Sequence, residues 1–353
     1  KLVDEILQGK SGRIIWGVFQ ILLMILGDIG NLITLIVLNR RWMRKCGINN
    51  LLQGLAVSDI IAPTIASIPL IIYYYASNKV TNEHVIVFVM PLATAATFAS
   101  NWIVVTITAF RLFIVIKPLY SQVYCSSRNE KKALTIIFML SLLSITPYYF
   151  DSYFMFSSHI QNIIKLMSAV LSLLGPWIIC VILWLILIRV VGQEIGEKNS
   201  LKLTLHSEVI AQRIRSKSKI TKMVLIICFC NIICQLPVLI RTILDLIDTG
   251  SCGRAKTFFF VYLLFTSNLL LIVNHSINFF IYSLTNAKFR YSIKMMCRRC
   301  CCLQNLYNPQ QSMTIDNSNI KMYKMSPRAT HSISTLSARS TVKFLALTRV
   351  RDF

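Results

Sequence analysis

The sequence predicts an all-α membrane protein: seven transmembrane helices in a bundle, with a short amphipathic helix after the seventh. Three observations carry that expectation. Seven apolar runs have spanning length, basic residues crowd onto alternate connections, and single polar residues sit in the middle of otherwise apolar runs.

The runs read as Ile14–Leu38, Leu51–Ala76, Val85–Ile116, Leu134–Phe150, Ile163–Ile188, Ile220–Ile247 and Phe258–Leu284. A helical crossing takes about 20 mostly apolar residues. Lipid offers the backbone no water, so only helices and closed barrels cross it. Barrel strands would alternate strictly over about ten residues, and these runs are longer and continuous. Only 14% of the 353 residues are charged while 55% are hydrophobic, too little charge to cover a soluble protein of this length.

The net charge of +23 invites a nucleic-acid reading, but its placement argues for a membrane. Arg40, Arg41, Arg44 and Lys45 follow the first run, and Lys117, Arg128, Lys131 and Lys132 separate the third from the fourth. Arg189, Lys198, Lys202, Arg213, Arg215, Lys217, Lys219 and Lys222 surround the connection between the fifth and sixth. Lys288, Arg290, Lys294, Arg298 and Arg299 follow the seventh. The alternate connections hold few. The positive-inside rule therefore puts the amino terminus outside and the carboxyl terminus in the cytoplasm of a multi-pass plasma-membrane protein. The short stretch before the first run reads as holding no separate signal peptide. Cys252 alone falls in an outer loop, so no outer disulfide is expected.

Six of the seven runs carry informative interruptions. The first contains GDIGNLITLIVL with Asn31, and the second NLLQGLAVSD with Asp59 deep in apolar surroundings. The third ends in TAFRLFIVIKPL, which places Arg111 near the inner rim. The fourth is apolar. The fifth holds Pro176, the sixth reads CQLP with Pro237, and the seventh reads NHSINFFIYSLTNAKFR with Asn274, Asn278 and Tyr282. A carboxylate at mid-bilayer costs about 2.5–3.5 kcal/mol, so Asp59 should face a polar interior. Pro176 and Pro237 each remove a helix hydrogen bond and are candidate hinges.

Taken in order, these motifs resemble a rhodopsin-like (class A) G-protein-coupled receptor over all seven spans and the short helix beyond. The pattern of Trp102 and the NHSINFFIY segment is most similar to invertebrate neuropeptide receptors, including the FMRFamide-receptor-like group. The resemblance implies that Asp59 gathers Asn31, Ser100, Asn274 and Asn278 and holds a sodium ion, no other cofactor being expected. A hydrogen-bonded acid with no ion is the alternative. It also implies that Arg111, Pro118, Leu119 and Tyr282 serve coupling to a heterotrimeric G protein. Phe110 and Leu112 stand where the family carries Asp and Tyr, and Lys217 stands where a sixth-helix acid often locks the Arg. Two restraints are thus missing, which implies raised basal activity; an Arg reaching out to phosphates is the bland alternative.

Three further departures cluster. Asn101 and Asn231 replace apolar residues of the family, and Gln235 replaces its sixth-helix Trp. Asn231 and Gln235 lie four apart and share a face, so with Asn101 they suggest a buried amide cluster. The alternative is three unrelated polar residues. Ala93 stands where amine receptors carry an acid, and Ile272 where opsins carry the retinal lysine, so neither ligand class is expected. A peptide ligand is, with Tyr73, Gln235, Arg241, Thr242, Asp245 and Asn268 as candidate contacts; a solvated helix end is the alternative for Asp245.

Three segments follow: a receptor domain over 1–285, an amphipathic membrane-surface helix over 286–302, and a disordered cytoplasmic tail over 303–353. Cys297, Cys300, Cys301 and Cys302 are candidate palmitoylation sites beside the lipid surface. Serines and threonines of the tail are candidate phosphosites for arrestin. No HExxH, Walker, G-x-S-x-G or kinase motif occurs, so no enzyme is expected. Two rivals remain: a divergent seven-helix receptor with high basal or lost signalling, and a seven-span channel or transporter.

Overall fold

The structure is a computed structural model. It describes residues 10–40, 43, 48–75, 79–154, 157–201, 208–247 and 254–307, with side chains described outside 10–13, 69–87, 122, 151–156, 158, 194–218, 245–258 and 298–307. Over the described residues each expected span is helical, the fourth with one break. The helices run Lys10–Leu38, Asn49–Tyr75, Lys79–Ile116, Ser127–Leu143 with Thr146–Phe154, Ser158–Ala169 with Gly175–Leu201, Glu208–Ile247 and Arg254–Thr285. Seven segments of these are long and apolar enough to cross a bilayer. All lie in one compact unit, Lys1–Met296, and a second unit starts at Cys297.

The bundle keeps polar atoms inside and apolar ones outside. Leu51, Leu55, Ile103, Ile107, Leu187, Met223 and Ile227 fill its inner half. Ile15, Leu22, Leu26, Ile136, Met139, Leu143, Ile182 and Phe229 are exposed where lipid would cover them. Close packing needs small residues. A Cβ on Gly27 would lie 2.1 Å from Ser276 Oγ and 3.1 Å from its Cα, so only glycine lets the first helix approach the seventh this closely.

The fourth span breaks between Leu143 and Thr146. Pro147 has no N–H for the Leu143 carbonyl, and that oxygen accepts the Thr146 hydroxyl at 2.8 Å instead. The break falls inside the expected run Leu134–Phe150, where hydropathy alone predicts a continuous helix.

Glu130, which the sequence reading passed over, organises the inner end. It is 2% exposed at the start of the fourth span. Its Oε1 accepts the Ile48 N–H at 2.8 Å, and its Oε2 accepts the Asn50 N–H at 3.0 Å and Asn50 Nδ2 at 2.8 Å. These are orphan donors at the start of the second helix, where a negative charge also suits the helix dipole. Ile48 adopts φ 71°, a costly conformation for a β-branched residue, and the carboxylate holds it there. Glu130→Ala should destabilise the protein by about 1–3 kcal/mol, because buried donors lose their acceptor. Thermal melting of the purified protein checks this, and a melting temperature equal to wild type would refute it.

After the seventh span, Ala287–Tyr307 is a helix. Asn286 Oδ1 accepts the N–H groups of Lys288 at 3.1 Å and Phe289 at 3.3 Å, capping its start. Arg290 Nη1 donates to the carbonyls of Ser283 and Leu284 at the end of the seventh helix. Phe289 is fully buried with its ring edge-on to Phe279 and Tyr282, while Lys288, Arg290 and Lys294 are exposed. This is the amphipathic division the sequence predicts. Over the described residues the helix continues past 302 to Tyr307. Cys297 is exposed with a free thiol. The side chains of Cys300, Cys301 and Cys302, and the whole tail from 308, lie outside the described residues.

Candidate functional site

Asp59, 1% exposed, is the hub of a buried polar cluster. Ser100 Oγ, from the third helix, donates to Asp59 Oδ1 at 2.8 Å, and Asn278 Nδ2, from the seventh, donates to Oδ2 at 2.6 Å. Two of the four expected neighbours are therefore in place. The other two are not. Asn31 Nδ2 donates to the His275 carbonyl at 2.9 Å, and Asn274 Nδ2 donates to Asn231 Oδ1 at 3.1 Å. The missing partner is His275, whose Nδ1 lies 2.8 Å from Asp59 Oδ1. Successive helix residues point about 100° apart, so His275 faces the carboxylate while Asn274 faces the sixth helix. The signal was available: His275 is the one histidine in the seventh run.

A second polar layer joins the sixth helix to the third, fifth and seventh. Gln235 Nε2 donates to Asn101 Oδ1 and, at 2.8 Å, to Asn231 Oδ1. Asn274 completes the group from the seventh helix. The three-amide cluster expected from the sequence is present and larger by one. Its contact with the fifth helix follows from a helix defect. Val170–Leu174 is a π-turn closed by the Gly175 N–H on the Val170 carbonyl. A Cβ on Gly175 would meet that oxygen at 2.9 Å. The wide turn frees the Leu171 carbonyl, and Pro176, lacking an N–H, frees that of Ser172. Trp102 Nε1 donates to the first at 3.0 Å and Asn101 Nδ2 to the second at 2.8 Å. Adjacent third-helix residues thus satisfy both exposed carbonyls, as burial in lipid requires.

At the inner rim Arg111 is only 4% exposed. Its Nε donates to Thr221 Oγ1 of the sixth helix at 2.9 Å. The bland reading, an arginine reaching outward to phosphates, is corrected by this burial. The two acidic restraints are absent, and Thr221, four residues beyond Lys217, sets a neutral hydroxyl on the guanidinium. The Lys217 side chain lies outside the described residues.

A family model described as seven-transmembrane receptor (rhodopsin family) matches residues 30–282, most of the chain. The chain belongs to the rhodopsin family of seven-transmembrane receptors. It is a multi-pass membrane receptor of the signal-transducing kind. No curated protein matches it in a direct sequence comparison. The matched stretch opens at Gly30, beside Asn31, and closes at Tyr282, so it contains the whole polar network.

The receptor's candidate coupling residues divide by accessibility. Tyr282 is 2% exposed and packed against Phe289. Pro118 and Leu119 are exposed, and with Tyr120, Val123 and Tyr124 they form an apolar patch on the connection after the third span. Behind it Phe110, Phe113, Lys117, Tyr120, Tyr124 and Cys125 line a cavity of about 530 Å³. Burial, reinforced by the charge of Glu130, raises the Cys125 thiol above its ordinary range, so it stays protonated and unreactive.

The candidate ligand contacts are less uniform. Gln235 is 1% exposed and sits inside the amide layer, beneath any outer pocket. Arg241 Nη1 reaches Ser267 Oγ on the seventh helix at 3.4 Å, and Thr242 Oγ1 donates to the Val238 carbonyl of its own helix at 2.9 Å. Asn268 is half-buried. The side chains of Tyr73 and Asp245 lie outside the described residues. Of the hinge prolines, Pro176 follows the π-turn, whereas Pro237 sits within the continuous helix Glu208–Ile247.

Proposed function

We propose that this receptor takes an extracellular peptide and passes the signal to a heterotrimeric G protein from the plasma membrane, with its amino terminus outside. One observation carries the reading. A continuous amide layer ties the sixth helix to the third, fifth and seventh at a turn where the fifth is already unwound. A ligand pressing on Arg241, Thr242 or Asn268 shifts the outer sixth helix, and the amide layer carries that shift into the bundle. At the other end of the same helix, Thr221 holds Arg111. Moving the helix releases the guanidinium toward the apolar patch around Leu119, a surface suited to a protein partner. Ligand binding thereby biases two pre-existing arrangements. Arrestin would read phosphorylated residues of the tail, and lipid would receive acyl chains on Cys297 and its neighbours.

A divergent receptor with high basal signalling is the second reading, favoured by the same hydrogen bond. The group on Arg111 Nε is a neutral hydroxyl and not a carboxylate. Nucleotide exchange on purified G proteins, run in receptor-bearing membranes with a peptide library, tests both. At least one peptide should stimulate exchange, and Arg111→Ala should abolish it. No stimulation by any peptide, with exchange no higher than in receptor-free membranes, would refute both.

A further inference from the structure

The family resemblance implies a sodium ion on Asp59, but the side chains present do not fit one. A carboxylate oxygen offers two lone-pair sites. At Asp59 Oδ1 both are occupied, by Ser100 Oγ and by His275 Nδ1, each at 2.8 Å. The ring nitrogen stands on the line along which a cation would approach Oδ1. Asp59 Oδ2 receives the Asn278 amide at 2.6 Å. A hard cation is held by several oxygen lone pairs at once. Here the nearest shell is two nitrogens and one hydroxyl. Asn31 and Asn274, which the sodium reading needs, direct their NH₂ groups to the His275 carbonyl and to Asn231, and the one buried oxygen left over, Asn31 Oδ1, falls short of the several oxygens a hard cation takes.

His275 has the position and surroundings of a built-in substitute. It is 1% exposed, its ring is fixed on Asp59, and its backbone carbonyl is held by Asn31 of the first helix. The imidazole therefore occupies the side of Asp59 from which an outside cation would otherwise come.

We infer that the His275 imidazole fills the cation position at Asp59, so that sodium is not an effector of this receptor. The inference extends beyond the signalling role proposed above and is read by an experiment independent of it. Full-length receptor purified in detergent is melted in about 150 mM sodium chloride and in the same concentration of choline chloride, which holds screening constant. Wild type should melt at the same temperature in both. His275→Ser removes the imidazole, frees one lone pair of Oδ1 and supplies an oxygen. It should melt lower in choline and gain about 2 °C or more in sodium, as linkage requires for an ion bound only by the folded state. Adding Asp59→Asn to that variant should erase the gain. Should His275→Ser not yield folded receptor, His275→Asn, which also brings an oxygen, takes its place with the same expectation. A sodium-specific rise in wild type would overturn the inference. So would a folded position-275 variant that ignores sodium.

Discussion

Asp59→Ala should cost the receptor several kcal/mol of stability, about 1–3 kcal/mol for each buried polar group that loses its acceptor. The substitution leaves the Ser100 hydroxyl, the His275 ring and the Asn278 amide without their acceptor, all three buried. None can turn to water, since their helices pack together in the bundle interior. Asp59→Asn should cost less, because one amide oxygen still accepts while its NH₂ opposes the remaining donors. Thermal melting of purified receptor orders the three proteins: wild type highest, Asp59→Asn intermediate, Asp59→Ala lowest. An Asp59→Ala protein that melts with wild type would show that the cluster is not a source of stability.

Thr221→Val should raise signalling in the absence of ligand. The hydroxyl on Arg111 Nε is a contact by which the sixth helix restrains the guanidinium at the inner rim. A hydrogen bond to a charged group contributes about 1.5–3 kcal/mol. If it exists only in the resting arrangement, its loss shifts the two-state balance about tenfold or more. Valine keeps the branched shape, so packing is preserved. A G-protein-dependent reporter, scored at matched surface expression, should show elevated ligand-free output for Thr221→Val and near-wild-type output for Thr221→Ser, which keeps the hydroxyl. Unchanged output in the valine variant would separate the Arg111–Thr221 contact from activation.

Much of the architecture was legible in the chain because lipid imposes simple rules. Length and hydropathy locate seven helices. The cost of burying polar groups in lipid marks Asp59, Asn101, Asn231 and Gln235 as interior. The amide cluster was legible for a further reason: Asn231 and Gln235 share a face of one helix, and helical periodicity alone brings them together. The π-turn was not legible. Pro176 signals an interruption, but which carbonyls it frees, and that Asn101 and Trp102 cover them, depends on how close the third helix packs.

The identity of Asp59's partners shows the same division. The sequence by itself determined that a carboxylate crosses the membrane in the second helix and that several donors lie at similar depth, because periodicity and desolvation act locally. Only the tertiary structure decided that His275 and not Asn274 meets it, that Thr221 restrains Arg111, and that Glu130 reaches back to Ile48 and Asn50. Those pairings join residues far apart in the chain, and they follow from helix rotation and separation. Both are set by side-chain packing across the whole bundle, including contacts as small as Gly27 against Ser276.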